Sequence, residues 1–148
     1  MFTRRDLSIA ALAALITAGA FLVAEEKPVL HTTIVDWNSV PVKQTDVGSV
    51  RSFLNTRTPT LENLEIHVTT LKPGMSPHPP HRHGHEEILI VKEGNIEALI
   101  DGQWKPAGPG SVIFLASNGL HSVRNSGSTP ATYHVIAFST QATPPDAK

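Results

Sequence analysis

The sequence predicts an all-β domain, either a β-sandwich or a closed β-barrel, that follows an apolar N-terminal segment. Past residue 25 no stretch keeps a helical period over three turns, and the apolar runs alternate with polar residues or are β-branched. The chain has 12 prolines and 10 glycines, and these separate the runs into short strands joined by turns. Short strands at regular spacing are typical of sandwiches and barrels.

The clearest strand covers residues 64–71, where apolar and polar side chains alternate strictly. Its two faces are Leu64, Ile66 and Val68 on one side and Glu65, His67 and Thr69 on the other. Asp101-Gly102 predicts a hairpin turn within residues 95–104. The other predicted strands cover residues 86–94, 110–117, 120–125 and 132–140, with possible edge strands at 32–37 and 50–54. The predicted division of the chain is 1–24 (export signal or anchor), 25–60 (N-terminal edge strands), 61–141 (barrel) and 142–148 (a frayed tail).

The N-terminal segment has the layout of an export signal. Arg4 and Arg5 precede an apolar run over residues 7–24, and a polar "EEKP" follows. The run is also long enough to span a bilayer, so an uncleaved membrane anchor is the alternative. Small residues such as Ala18 and Ala24 favour cleavage, and the arginine pair resembles a twin-arginine signal. We therefore expect an exported protein, periplasmic or otherwise extracytoplasmic, which meets the membrane only if the signal is retained.

Composition excludes several classes of function. The net charge is −1 and no long basic or acidic block is present, so nothing indicates nucleic-acid binding. The chain has no cysteine, which excludes disulfides, thiolate zinc sites and a cysteine nucleophile.

The stretch "PHPPHRHGHEE" (residues 77–87) holds four of the eight histidines and two glutamates. His81 and His83 are two residues apart, so in an extended chain they point the same way, roughly 6 to 7 Å apart. Glu87 starts an apolar strand, where an inward charge is costly unless it is paired or metal-bound. His121, far along the chain, would complete a site of three imidazoles and one carboxylate, suited to Fe, Mn, Ni, Cu or Zn. On these residues alone, a solvated histidine-rich loop remains the alternative.

The stretch "GMSPHPPHRHGHEEILIVKEG" resembles the first motif of the cupin family. That motif has a glycine, a short spacer, His-x-His, three or four residues, a glutamate, six residues and a glycine. The matching positions are Gly74, His81, His83, Glu87 and Gly94. The spacer before His81 has six residues where the family usually has five.

The second cupin motif resembles "GSVIFLASNGLHSVRN", which places Gly110, His121 and Asn125 in register. Ala116 and Asn118 stand where the family usually has proline and glycine, positions that shape a turn rather than bind metal. The resemblance covers roughly residues 62–140. It implies a double-stranded β-helix, a jelly-roll barrel with one metal ion inside its mouth.

By the same resemblance, the metal ligands are His81, His83, Glu87 and His121, whereas Gly94 and Asn125 are turn residues. Four protein ligands leave one or two positions for water, O2 or a chelating substrate. We expect one divalent transition metal. Mn or Fe is favoured, because a barrel folded before export would take its metal in the cytoplasm; Ni, Cu and Zn are alternatives.

The remaining histidines and aromatic residues receive simpler interpretations. His85 could contact a ligand, but the rim or the surface is preferred, and His78, between prolines, is expected to be exposed. His67 and His134 are interpreted as satisfied or half-exposed strand side chains, with a role in substrate binding as the alternative. Packing in the core or at the rim is the default for Tyr133 and Trp104. Two orientations follow from parity: Arg124 and Glu86 point away from the ligands. The residues placed inside the barrel are Leu89, Val91, Val112 and Phe114, with Ile100 possible.

The predicted function is a small metal-dependent enzyme, oxygenase-like or isomerase-like, that acts on a small oxygen-rich metabolite. The alternative is a non-catalytic cupin that binds a small ligand or a metal. No acid–base group apart from the ligands is evident in the sequence, so no catalytic residue is assigned. The expected partners are a small molecule and a second copy of the chain, with residues 28–58 as a candidate dimer segment.

Overall fold

The computed structural model describes residues 28–147, and this part of the chain is built almost entirely from β-strands. A single turn of 3-10 helix covers Trp37–Ser39. The strands are β1 (Lys43–Thr45), β2 (Gly48–Thr56), β3 (Asn63–Leu71), β4 (Glu86–Glu93), β5 (Ile96–Ile100), β6 (Gln103–Ala107), β7 (Val112–Leu115), β8 (Ser122–Asn125) and β9 (Ala131–Ser139). The predicted all-β class is therefore confirmed. No helix among the described residues is long and apolar enough to cross a membrane.

The strands form two antiparallel sheets. One has six strands in the order β1-β2-β3-β9-β4-β7, and the other has three in the order β6-β5-β8. A single apolar cluster takes residues from both sheets, among them Leu89 and Val135 from the larger sheet and Ala98 and Val123 from the smaller. Two sheets closed around a shared core are consistent with a jelly-roll barrel.

The predicted alternation in residues 64–71 is confirmed, and the polar face of β3 is the inner one. His67 and Thr69 line the interior, and on the neighbouring strand Val135 and Tyr133 stand opposite them. A buried polar face on a central strand is unusual unless the polar groups have partners or a role. The polar face of β3 is therefore a candidate part of a binding site.

The predicted orientation of β7 is wrong by one residue. Val112 and Phe114 are 65% and 54% exposed, whereas Ile113 and Leu115 are 6% and 4% exposed and lie in the core. All four residues of this strand are apolar, so the sequence offers no alternation from which to read a face. The pairing with β4 decides it, because the register sets Leu115 opposite Glu87.

Turn chemistry is largely as predicted. Asp101 and Gly102 have φ values of 52° and 75° and join β5 to β6, as a tight hairpin requires. Gly94 has φ 78°, and a Cβ there would lie 2.6 Å from the Cα of Ala131, so only glycine fits. At the N-terminal edge, residues 50–54 lie within β2. Residues 32–37, by contrast, form no strand and lead into the 3-10 helix. The predicted signal segment, residues 1–24, lies outside the described residues.

Candidate metal centre

Three histidines converge where β4 and β8 begin. One nitrogen from each of His81, His83 and His121 lies within 4.8 Å of those of the other two. Backbone pairing produces this convergence, because His81 and His121 exchange N–H···O=C bonds of 3.0 and 3.1 Å. A further bond of 2.7 Å runs from the Asn118 amide to the His83 carbonyl. Residues 40 positions apart in sequence are thus held as neighbouring strands would hold them.

Two of the imidazoles are oriented by bonds to nearby carbonyls. His83 Nδ1 lies 2.9 Å from the His85 oxygen, and His121 Nδ1 lies 2.8 Å from the Gly119 oxygen. Each Nδ1 must carry the proton to donate to a carbonyl, which leaves Nε2 as a bare lone pair. Fixing the tautomer through the opposite ring nitrogen is the usual second contact of a metal-binding histidine.

Glu87, the second residue of β4, points towards the same three histidines. Its Oε2 lies 3.6 Å from His83 Nε2 and 3.9 Å from His121 Nε2. These distances are too long for hydrogen bonds. They match atoms that share one ion, since ligands bound at about 2.1 Å lie roughly 3 to 4 Å from each other.

The protonation state of these imidazoles suits a cation. Burial, followed by the neighbouring His78, His121 and His83, lowers the pKa of His81 from 6.5 to about 4. Burial is also the largest cause that lowers the pKa of His121. Both rings are therefore neutral near pH 7, and neutral imidazole is the form that binds metal.

Buried atoms without partners test whether these residues fit a metal. Within residues 28–147, His81 Nδ1 and His121 Nε2 are buried and accept or donate no hydrogen bond. Native structures rarely leave such atoms unpaired, and an ion is one of the standard explanations. The donor set therefore fits a divalent transition metal, and the three histidines could hold it; which metal is not fixed by the ligands.

The two other histidines of the stretch also touch this group. The His85 ring stacks on His83 with centroids 3.6 Å apart and planes 3° apart. The interpretation of His85 as rim or surface is therefore corrected: it packs directly on a proposed ligand. His78 is exposed, as predicted, but its ring edge contacts His81 at 4.1 Å between centroids.

The prediction of a frayed tail is corrected for residues 142–147, because hydrogen bonds hold this segment against the barrel. Asp146 accepts a 2.6 Å bond from the Gly84 amide, and Asn118 bonds the tail at Pro145 and Ala147. Gly84 has no room for a side chain, because a Cβ would lie 1.9 Å from the Pro144 oxygen. The tail therefore straps the loop that carries His83.

A cavity of about 280 Å³ opens beside the histidines. It lies near the lower end of the size range of small-molecule sites, roughly 300 to 1,000 Å³. Most of its wall is apolar, but Glu87, His121, His67, Thr69 and Tyr133 all face it. The sequence predicts a satisfied or half-exposed strand side chain for His67 and core or rim packing for Tyr133, whereas both line this cavity. The strict alternation of β3 was the available signal, because it put His67 and Thr69 on one face.

Tyr133 contributes a neutral hydroxyl to this wall. Burial, and then the charge of Glu87, raises the pKa of its hydroxyl well above the usual value, while a bond with Thr69 acts in the opposite direction. The hydroxyl therefore stays protonated and can donate. Trp104 and Arg124 lie away from the cavity. The Arg124 guanidinium stacks over Trp104 at 4.2 Å and pairs with Glu97 at 2.6 Å, as expected of an outward residue.

Comparisons with known proteins support this architecture. Residues 67–137 match the model of the cupin domain (Cupin_2). No curated protein matches the chain in sequence. Among solved structures, the polyketide cyclase RemF from Streptomyces resistomycificus is 18% identical, with a TM-score of 0.60 over 80% of this chain and 87% of that chain.

Two further solved structures share the fold. A sugar phosphate isomerase of the cupin superfamily from Silicibacter pomeroyi is 20% identical, with a TM-score of 0.58 over 73% of this chain and 76% of that one. An RmlC-like cupin from Shewanella frigidimarina is 14% identical, with a TM-score of 0.61 over 76% and 95%. At these sequence identities the three solved structures show a shared fold and nothing more. Together with the domain match and the paired histidine motifs, they place the sequence: this chain belongs to the cupin family.

Proposed function

We propose that this protein is a metal-dependent enzyme in which His81, His83, Glu87 and His121 hold one divalent transition metal. The observation that carries the proposal is the pair of buried, unpartnered ring nitrogens, His81 Nδ1 and His121 Nε2, in a group of three converging imidazoles. When bound, the ion supplies a positive charge to polarise an oxygen of the substrate. Mn or Fe is the favoured metal.

The substrate is a small oxygen-rich metabolite. The cavity of about 280 Å³ accommodates a molecule of only a few carbon atoms. Most of its polar groups lie at the metal end or on β3 and β9, and Thr45 of β1 adds one more, whereas Leu89, Leu115 and Val123 form apolar wall. A ligand with oxygens at one end and a carbon skeleton against this wall fits that distribution. A sugar, which carries polar groups all round, fits it less well.

Export is part of the proposal. Arg4 and Arg5 before the apolar run of residues 7–24 support a twin-arginine signal and an extracytoplasmic location. Replacement of both arginines by lysine should leave the protein in the cytoplasm, as measured by immunoblotting of cell fractions. Unchanged export of this variant would refute the twin-arginine route.

Metal content tests the centre directly. The protein, expressed with its own N-terminus and without an affinity tag, should contain close to one equivalent of a single transition metal by inductively coupled plasma mass spectrometry. His83→Ala and His121→Ala should lose it. His134→Ala is the matched control: His134 lies on the outer face of β9, so this variant should retain the metal. Equal metal in all four proteins would overturn the ligand assignment.

A second measurement separates an enzyme from a binding module. The metal-loaded protein should consume O2 or convert one of a panel of small keto acids, hydroxy acids and phenols, whereas His121→Ala should not. Binding without turnover across the panel would favour the non-catalytic alternative.

A further inference from the structure

A glutamate–histidine pair lies on the inner wall of the barrel, apart from the metal centre. His67 Nδ1 is 3.0 Å from Glu65 Oε1, both on β3 and on its inner face. The His67 side chain is 20% exposed and that of Glu65 37%. A partly buried imidazole paired with a carboxylate is the arrangement that fixes a catalytic histidine in one tautomer.

The sheet register places this pair opposite the metal centre. Glu65 stands opposite Ala137, and Ala137 stands opposite Glu87. The two glutamates therefore belong to one row across the inner face, with two strand spacings, roughly 10 Å, between their backbones. In this row Ala137 is the residue between the two glutamates. His67 is one step deeper, and it lines the same cavity as Glu87.

The hydrogen bond decides which nitrogen of His67 is available. Glu65 can only accept, so in the neutral ring Nδ1 carries the proton and Nε2 has the free lone pair. Among residues 28–147, Nδ1 is the ring nitrogen of His67 that is hydrogen bonded. The result is a base whose accepting atom belongs to a side chain on the cavity wall.

The other titratable side chains of the cavity are already committed. Glu87 and His121 belong to the metal centre, and Tyr133 is a protonated hydroxyl bonded with Thr69. His78 lies at the exposed mouth, beside Pro79. Within the described lining of the cavity, His67 is thus the remaining group that lies away from the exposed mouth and can accept a proton from a ligand held inside.

We propose that His67, positioned by Glu65, is the proton-transfer residue of this cavity, and that the substrate is a small carbonyl compound with a C–H bond next to the carbonyl. This deepens the proposed function and rests on it. Such a substrate would place its carbonyl oxygen at the metal end and its acidic carbon towards His67. The reaction class is then proton transfer, as in an isomerase, rather than oxygenation.

The step balances without any co-reactant. The C–H bond breaks and its proton goes to His67 Nε2. The C–H electron pair forms a C=C bond, and the carbonyl π pair moves to oxygen, which gives an enolate. The charge that forms on the imidazole is stabilised by Glu65. Return of the proton to the opposite face of the same carbon gives an epimer. Where that carbon carries a hydroxyl group, the hydroxyl proton can pass to the enolate oxygen, and return of the first proton to the former carbonyl carbon then gives an isomer; either route restores the neutral histidine.

Deuterium exchange into a simple probe tests the inference. Metal-loaded protein is incubated in D2O with pyruvate or dihydroxyacetone, both of which have a C–H next to a carbonyl, and deuterium in the recovered probe is measured by mass spectrometry. The wild type should accelerate exchange. His67→Gln should lower the protein-dependent rate about 100-fold, in line with general base catalysis, with metal content unchanged. His134→Gln, on the outer face of β9, should match the wild type.

The outcomes separate this inference from the proposed function. Exchange that survives His67→Gln overturns the dyad and leaves a metal enzyme. A protein that holds its metal but exchanges neither probe overturns the proton-transfer assignment alone. A protein without metal in the wild type overturns the proposed function as well.

A spectroscopic readout needs neither metal nor substrate. In the metal-free protein, ¹⁵N NMR of the His67 ring should show the Nδ1–H tautomer, and Glu65→Ala, which removes the acceptor, should weaken that preference. In the metal-loaded protein, Glu65→Ala should also lower the exchange rate. Glu86→Ala, next to Glu87 but on the opposite face of β4, is the matched control. A dominant Nε2–H tautomer in the wild type would overturn the proposal, because that nitrogen could not then accept a proton.

Discussion

The two ends of the barrel interior are built on opposite principles. At the closed end, around Leu71 and Asn125, every buried polar group has a partner. Asn125 is 0% exposed, and its amide donates to the carbonyls of Leu71 and Thr129 at 3.0 and 2.8 Å while its oxygen accepts from Gly127 at 2.9 Å. At the open end, buried nitrogens of His81 and His121 lack partners within the described chain. The hydrogen-bonded polar groups at the closed end stabilise the fold, whereas the unpaired nitrogens at the open end can bind a ligand.

The contrast explains how one small barrel combines stability with reactivity. The closed end packs Leu71, Val91 and Ile96 at 0 to 2% exposure around the asparagine. The open end depends on bonds from outside the barrel, from the strap formed by the tail and from the backbone pair of His81 and His121. Substitutions at the two ends should therefore have separable effects on stability and on metal binding.

The largest effect on metal binding is expected for His121→Ala. Loss of one donor from the centre should raise the Kd for the native metal roughly 1,000-fold, about 4 kcal/mol. The free energy of unfolding of the metal-free protein should fall by only about 1 to 2 kcal/mol, because the substitution removes one hydrogen bond, from His121 Nδ1 to the Gly119 carbonyl, whereas Nε2 has no partner within residues 28–147. Chelator competition and urea unfolding measure the two quantities. A large loss of metal-free stability would mean that this end is structural as well.

The reverse pattern is expected for Asn125→Ala at the closed end. The carbonyls of Leu71 and Thr129 would remain buried without their donor, at a cost of about 2 to 4 kcal/mol in the free energy of unfolding. The metal Kd should change less than about threefold. Asn95→Ala, an exposed asparagine nearby, is the control and should be close to neutral. A loss of less than about 1 kcal/mol in Asn125→Ala would show that these hydrogen bonds do not stabilise the closed end.

A smaller effect is expected where the strap meets the open end. In Gly84→Ala the new Cβ would lie 1.9 Å from the Pro144 oxygen, so the Pro144 carbonyl would have to move away. This movement should weaken the bond between the Gly84 amide and Asp146. We expect the metal Kd to rise about tenfold, as for other contacts that orient metal ligands, with a modest loss of stability. Gly108→Ala is the control, because the nearest atom to an added Cβ there is 3.8 Å away. Equal metal affinity in both variants would show that the strap does not position His83.

The sequence predicted the open end better than the walls. His-x-His, a glutamate four residues later and a distant histidine carry their own spacing, and the structure brings the three histidines together. Alternation in residues 64–71 likewise separated the two faces of β3. Both signals are local in the chain, which is why they can be read without the fold.

The failures have a shared cause: they depend on which strands meet. Val112 and Phe114 were placed inside because an all-apolar strand has no parity of its own, and only pairing with β4 sets it. The tail was expected to fray because nothing in its sequence reveals the Gly84 amide and Asn118 that bind it. His67 was discounted because a base is recognised by its neighbours in space. Here those neighbours are Glu65 and a cavity shared with Glu87.

The smallest expected effect is the pH dependence of the free energy of unfolding of the metal-free protein. It tests the buried histidines of the open end without a substitution. Burial lowers the pKa of His81 to about 4 in the folded protein, against 6.5 in the unfolded chain. Between pH 6.5 and 4 the unfolded chain therefore binds more protons, so the free energy of unfolding falls as the pH is lowered through this window and is flat with respect to His81 above it. The lowered pKa values of His85 and His121 act in the same direction.

Urea midpoints of chelator-treated protein at a series of pH values measure this dependence. His81→Gln should flatten the slope between pH 6.5 and 4 in part, since His85 and His121 still titrate. Asn125→Ala should lower the midpoint at every pH and leave the slope unchanged, because it removes no titrating group. An equal slope in the wild type and in His81→Gln would mean that the folded chain accommodates a charge at His81. The buried, neutral imidazole on which the comparison between the two ends depends would then be wrong.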